Sequence, residues 1–510
     1  MGRFIIVENQ FSGYYISIET LSSDCFLYRE QCFTATDFTG QHWSIVSLYM
    51  AKKTISKSVL WQLFGKIAFQ GIHFFTTPIF TRLLTQADYG YVTLYTSWLS
   101  IFTLVEGLSV ASSSGVARIK YGEDKLSGFL SSIMSISVIS FSVVLAVMLI
   151  FGNFFANLLG FSRIILTVLV IHSFFSFVIS FEIGRLDVLK EAKKSALLAL
   201  AQSIITVGLS LCFVFLLKDN KAEGRIYGQA ISSIGIGLIL FILIYVRGKS
   251  FWNPEYNKFC VKLALPLIFH ELGHIIFAQS DKIMLERICD TETVGIYGVT
   301  VTLCTVLGVI FGALNTAWVP FYYDFKKAGD TQNILHHSKR YIKFFTLTSV
   351  GFILLSFDVF KLIAPEEYYP GMNIIPLFVL SNYFSYLYLF PVNHEFFKEK
   401  TKLIPVITFF VALLNIAINY FLIPVLGMFG AALATLIAHI LLFVFHEITA
   451  RFIVKDFEYP WHIYIPGTVV ITVMVIAGYF LKDLFYIRWV ITAFVAAYML
   501  RDIIKNKSIF

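Results

Sequence analysis

What most constrains this chain is a succession of apolar runs of membrane-crossing length. A bilayer's hydrocarbon core takes about 20 apolar residues of helix, and runs of roughly 17 to 25 recur along the whole sequence. They are centred within 58–80, 88–113, 128–152, 160–181, 195–217, 224–246, 259–280, 293–316, 342–364, 371–393, 403–424, 427–449, 463–481 and 484–501. The loops between them are short and carry much of the charge. The 510 residues are 57% hydrophobic and only 14% charged, with a mean hydropathy of +0.75, which excludes an ordinary soluble domain. With 12 prolines and 53 phenylalanines, long helices fit and a barrel of alternating strands is not suggested. The expected class is an all-α polytopic membrane protein of about 14 transmembrane helices.

The net charge of +8 hints at nucleic acid, but the positions of the cations give a better reading. Loops on one side hold Arg118, Lys120 and Lys125, then Arg185, Lys190, Lys193 and Lys194, then Arg247, Lys249, Lys258 and Lys262. The other side has fewer, among them Arg82, Arg163, Lys218, Lys221, Arg225 and Arg287. Positive charge orients helices with that side inward, so both termini are expected in the cytoplasm and no nucleic-acid partner is expected. Residues 1–49 carry no span and no signal-peptide order, and "MAKKTISKSVLWQLFGK" from Met50 reads as a cytoplasmic start, so 1–49 read as an extension of doubtful structure. Six cysteines (Cys25, Cys32, Cys212, Cys260, Cys289, Cys304) have neither metal nor disulfide spacing.

The chain repeats itself. A shift of 205 residues puts Arg82 on Arg287, Leu83 on Ile288 and Gly90 on Gly295, and a shift of 202 puts Gly228 on Gly430. Two six-helix halves follow, residues 50–250 and 251–455, with two further C-terminal helices in 456–510. Each half has an even number of spans, so the halves run parallel about an axis along the membrane normal and are expected to enclose a central cavity.

Four stretches carry a resemblance: "TPIFTRLLTQADYG", "SDKIMLERICDTETVGIYG", "NTAWVPFYYDF" and "NYFLIPVLGMFGAALAT". Over residues 55–450 the chain resembles the Wzx-type polysaccharide-export and O-antigen flippases of the multidrug, oligosaccharidyl-lipid and polysaccharide (MOP) superfamily. The resemblance implies an inner-membrane transporter that moves an undecaprenyl-diphosphate-linked oligosaccharide between leaflets by alternating access. Its expected partners are that lipid-linked oligosaccharide, membrane lipids, and the polysaccharide polymerase and chain-length machinery. A multidrug or peptidoglycan-precursor exporter of the same superfamily is the nearer alternative. No cofactor is indicated; coupling to a proton or a sodium ion is the expectation.

Ionisable residues inside spans mark candidate sites, because each costs about 2.5–3.5 kcal/mol on insertion scales. Lys66, Gln70, His73 and Thr77 share one face of the first helix, and Glu271, His274, Ala278 and Asp281 one face of the seventh. Lys66 aligns with Glu271, so the two halves are expected to present opposite charges to a shared cavity. Glu106, in line with Ser109 and Ser113, is a third cavity candidate, while Asp358, His172 and His439 stand alone. Arg82 and Arg287 could fork a diphosphate or, equally, cap their helices or pair with Asp88 and Asp290. Asp281 with Lys282 reads as an ion pair, and Arg118 as an inner-side anchor or diphosphate contact. Pro78 and Pro266 are expected to let the first and seventh helices bend.

One motif points elsewhere. "HELGH", His270 to His274, is the zinc-protease pattern, with both imidazoles and a general-base glutamate on one helix. A catalytic zinc needs a third protein ligand. No partner motif accompanies it, and the first half has no counterpart. The sequence therefore favours a transporter with no metal site, leaving intramembrane zinc proteolysis a remote alternative.

Overall fold

The computed structural model describes residues 34–36, 42–44, 61, 65 and 70–506. Within residues 1–49 only Thr34–Thr36, paired antiparallel with His42–Ser44, is described, and Lys66 lies outside the described residues.

From residue 70 the chain is built of helices. α1 (70–83) turns into α2 (Gln86–Gly107) through a capping box, in which the Asp88 amide donates to Thr85 Oγ1 and the Thr85 amide to Asp88. α3 (Ser114–Tyr121), α4 (Glu123–Ile150), the short α5 (Gly152–Leu159), α6 (Arg163–Val188), α7 (Ala192–Leu216) and α8 (Lys221–Gly248) follow. The second half holds α9 (Pro254–Ile288), α10 (Thr291–Lys327), α11 (Thr331–Ile363), α12 (Ile375–Leu387), α13 (Leu389–Phe397) and α14 (Leu403–Ile448). α15 (Ile465–Leu481) and α16 (Phe485–Asn506) end the chain. Side chains of Ser162, Asn253, Asp290 and Asp330 accept first-turn amides and so fix where α6, α9, α10 and α11 begin.

Among the described residues nine helices are long and apolar enough to cross a membrane, ten if α2 and α3 are one bent span. One expected span, 88–113, is broken inside, and one expected boundary, at 427, is a sharp fold. The bend of 51° between α2 and the turn leading to α3 is made by Leu108 and Ser109, both left-handed at φ +47° and +50° without being glycine. Such residues cost about 1–3 kcal/mol each and persist only where surroundings hold them. α14, by contrast, is two helices folded at Gly427 (φ +56°).

Glycine also explains how the halves meet. A Cβ on Gly90 would stand 1.8 Å from the Thr291 carbonyl oxygen, and one on Gly295 2.2 Å from that of Gln86. The two residues that the sequence repeat superposes therefore touch each other, as residues beside a two-fold axis do. Gly228 and Gly430, also superposed, each sit in a helix hairpin: a Cβ would lie 2.4 Å from Ser210 backbone in one and 2.4 Å from the Leu422 carbonyl in the other.

Packing closes the two halves at one end. Phe80, Leu84 and Tyr89 of α1 and α2 are buried in the same core as Leu285, Val294, Tyr297 and Tyr368 of the second half. At the other end the bridge is α9. Before Pro266, its Cys260 and Ala264 are buried with Val110, Ala117 and Phe129 of the first half. Beyond Pro266, Gly273 lies against Phe409, and Leu285 belongs to the second half's core. A proline inside a helix removes one backbone bond and bends it. The expected hinge thus stands where α9 passes from one half to the other.

The two C-terminal helices lean on α11, fixed by Arg488 of α16, whose guanidinium grips both carboxylate oxygens of Asp358 at 2.7 and 2.9 Å. The loop before α15 is tied down by Lys326 to Glu458 and by Lys398 to Asp456 at 2.9 Å. Lys398 holds the Asp456 carboxyl below its ordinary range, so this bond contributes at neutral pH and is lost as pH falls through that lowered value. The pair is solvent-facing and the effect therefore small. Asp456→Asn should lower the unfolding temperature slightly at pH 7 and not at all near pH 2, which parallel thermal melts at the two pH values would check.

Candidate functional site

A cavity of about 690 Å³ opens between α1, α10 and α11. α1 brings Gln70 and His73 to it, the three-residue step that sequence periodicity placed on one face. Thr302 and Thr305 of α10 and Ser356 of α11 supply further polar atoms in a wall that is otherwise aliphatic and aromatic. The described lining contains no carboxylate. Thr77, next on the α1 stripe, is buried and donates to the His73 carbonyl at 2.9 Å instead.

α9 divides its polar residues between two faces. Glu271 and His274 are exposed, and Ser109 at the break after α2 donates to the Glu271 carboxylate at 2.6 Å. Glu271 thus bonds the strained turn of the other half. His270 and His274 meet edge to face at 4.7 Å, and among the described residues no group of three or more His, Cys, Asp or Glu is placed to hold a metal.

Asp281 does not share that exposed face. It is buried, accepting from the Tyr297 hydroxyl of α10 and from Thr435 Oγ1 of α14 at 3.5 Å. Its neighbour Ser280 donates to Asn415 at 3.1 Å, and Asn415 also accepts from Asn419 at 3.2 Å. Asn415 and Asn419 are both fully buried, and Asn419 Oδ1 has no hydrogen-bond partner. A buried polar cluster with one carboxylate, an unspent acceptor on Asn419 and an unspent donor on Asn415 Nδ2 therefore joins α9, α10 and both legs of α14. Sequence reading tracked ionisable side chains and passed over the asparagines. Their four-residue spacing in the apolar run "FFVALLNIAINYFLIPV" was the available signal.

Most candidate cations are engaged. Arg82 donates to the carbonyls of Pro78 and Leu362, both at 2.9 Å, and so caps the ends of α1 and α11. Asp88 and Asp290 serve as helix-start caps. Arg287 pairs with Glu286 at 3.4 Å. Lys282 turns from Asp281 to Gln279 at 2.8 Å and to the Ala278 carbonyl. Arg118 binds Glu123 and the Val188 carbonyl, beside a hollow of about 420 Å³.

Glu106 lies inside the first half, away from the cavity. It is fully buried, receives one hydrogen bond from Ser173 of α6 at 2.8 Å, and leaves its second oxygen without a partner. His172 is bonded by Tyr95 and Ser233, and His439 by Ser381, so both histidines have local structural partners.

Nine or ten helices long and apolar enough to cross a membrane among the described residues, with Gly90 packed on Gly295 and α9 running from one group of helices to the other, define a polytopic membrane protein. The family model described as "Polysaccharide biosynthesis protein" matches residues 55–325, and the chain belongs to that family. Among curated proteins it is 23% identical over 365 residues to "Lsg locus putative protein 1" of Haemophilus influenzae, covering 69% of this chain and 87% of that one. A second Haemophilus influenzae protein, described as an uncharacterized membrane protein, is 24% identical over 67% of this chain and 83% of its own length. In fold the chain is similar to the lipid II flippase MurJ in its inward closed conformation, with a TM-score of 0.66 and 17% identity over 89% of this chain and all of that one. It is also similar to an inward-facing multidrug MATE transporter of the MOP superfamily, with a TM-score of 0.58 and 16% identity over 79% and 95% of the two chains.

Proposed function

We propose that this protein flips an undecaprenyl-diphosphate-linked oligosaccharide, an O-antigen or capsule repeat unit, from the inner to the outer leaflet of a bacterial inner membrane, with both termini cytoplasmic. The observation that carries the reading is a large cavity with a mostly apolar wall, polar marks at Gln70 and His73 and no carboxylate in its described lining. An isoprenoid tail and a neutral or anionic sugar suit such a wall, whereas a cationic drug would want a carboxylate. The family's polysaccharide description supports the same substrate class. Polymerase and chain-length proteins are the partners that would draw on the product.

Alternating access then consists of parting the Gly90–Gly295 seam while α9 bends at Pro266, with Pro78 giving α1 the same freedom. Of the two expected coupling ions, proton and sodium, we take sodium. Asp281 supplies charge, and Ser280, Asn415, Asn419 and Thr435 supply neutral oxygens of the kind a hard cation takes. Filling that pocket would draw both legs of α14 toward α9. Asp281→Asn should reduce transport about tenfold, equivalent to roughly 1.4 kcal/mol, and abolish its dependence on sodium. Rates measured in sodium against choline buffers check this, and a wild-type rate that is equal in both would rule sodium out.

The substrate is tested in cells. Deletion should trap lipid-linked repeat units on the cytoplasmic face without altering susceptibility to cationic drugs. The reverse pattern would favour a multidrug exporter.

A further inference from the structure

At the outer closure one cation has donors to spare. Arg225 opens α8, in a position that the sequence presents merely as an outer-side anchor. Its guanidinium lies 4.0 Å from the ring centre of Phe80 and 4.9 Å from that of Tyr89, so an aromatic pair from α1 and α2 grips it. Yet its Nε and Nη1 are buried with no hydrogen-bond partner. On the second half's side of the seam, Tyr368 is fully buried, its hydroxyl also has no partner, and its ring meets Tyr89 edge-on at 6.2 Å. Arg225 donates to the Tyr89 hydroxyl, and Tyr368 and, on the cavity wall, His73 are close enough to interact electrostatically with it.

Three other cations of that side are spent: Arg82 on two carbonyls, Lys221 on the Leu83 carbonyl, and Arg287 on Glu286. A purely structural clamp would gain nothing from a planar five-donor group with unused donors, because each unmet buried donor costs about 1–3 kcal/mol and more when charged. A phosphate oxygen pair matches a guanidinium fork, and a phenol beside it adds a third donor.

We propose that Arg225 and Tyr368 form an anion subsite for a phosphate group at the outer closure, completed as the seam loosens and the substrate's head moves outward. The site lies between the halves, so the anion meets donors from both, and its binding offsets the cost of parting the seam. This inference rests on the lipid-diphosphate reading above and adds the residues that take the phosphate late in the cycle.

The test uses the purified full-length protein with farnesyl diphosphate, farnesol and inorganic pyrophosphate as probes, with affinity followed by calorimetry and folding by thermal melt. Arg225→Gln should weaken farnesyl diphosphate at least about tenfold and leave farnesol unchanged. Arg225→Lys keeps the charge over Phe80 and loses the fork, so it should weaken the diphosphate about threefold to tenfold; it carries the test if the glutamine variant does not fold. Tyr368→Phe should weaken the same probe about threefold. Pyrophosphate bound as tightly as farnesyl diphosphate, with the same dependence on Arg225, would make a free anion the ligand and overturn the lipid source while keeping the subsite. Equal binding of farnesyl diphosphate by wild type and both Arg225 variants, within twofold, would overturn this inference alone. A wild type that binds neither phosphate probe would overturn it together with the lipid-diphosphate reading.

Discussion

Gly90→Val is expected to bring transport down to the background rate, a loss of roughly a hundredfold or more, worth about 2.7 kcal/mol in barrier. A Cβ at that position would lie 1.8 Å from the Thr291 carbonyl oxygen, in a seam where one on the opposing Gly295 would lie 2.2 Å from that of Gln86. Backbone cannot yield as a flexible side-chain tip does, so α2 and α10 must separate by more than an ångström and the outer side cannot close. Each half keeps its own packed core, Phe129 with Phe177 in the first and Phe345 with Tyr386 in the second, so the variant should still fold. Gly295→Val should behave alike because the seam is symmetric. Transport by reconstituted protein, together with a thermal melt, checks both halves of the expectation. Near-normal transport by either variant would mean that the glycine seam is not the outer gate.

Arg488→Ala is expected to destabilise the protein by about 3–5 kcal/mol, because removing one partner of a buried ion pair strands the other charge. Arg488 is 1% exposed and holds Asp358 through two hydrogen bonds, with a further bond to the Leu354 carbonyl at 2.8 Å. In the variant Asp358 would retain the Trp489 indole N–H at 3.1 Å and no cation. Removing both charges should recover most of the loss, since a buried pair replaced by apolar groups of similar volume is often neutral. The Asp358→Leu, Arg488→Met double variant should therefore melt well above Arg488→Ala. If the two melted together, the ion pair would not be what docks α16 on α11.

Much of this architecture was legible because a membrane imposes coarse rules. Run length marked the spans, and the Gly90–Gly295 correspondence was visible as a repeat before its meaning as a contact was known. Gly427 ends one leg of α14 where a glycine in an apolar run suggests a turn. What sequence could not supply was rotation and partnership. Asp281 and His274 lie seven positions apart on one helical stripe, yet α9 packs against α14 so that Asp281 is buried and His274 is not. Asp358 looked solitary because its partner, Arg488, is 130 residues away. Arg82 and Arg225 are both outer-side arginines in the sequence, and only the fold shows that carbonyls use up one while the other keeps free donors. The break at Leu108 and Ser109 puts its left-handed turn on non-glycine residues just after Gly107 and is held by a bond from the other half.

The central claim is that two like halves move a lipid-diphosphate-linked oligosaccharide across the bilayer by opening alternately at a glycine seam. It is tested most directly in proteoliposomes of purified protein carrying such a lipid with a labelled sugar, by following the loss of the label from enzymatic attack at one face. The account predicts sodium-dependent movement that is lost in Gly90→Val and reduced about tenfold in Asp281→Asn. Movement no faster than in protein-free vesicles, while a cationic drug is carried at a substantial rate, would contradict it.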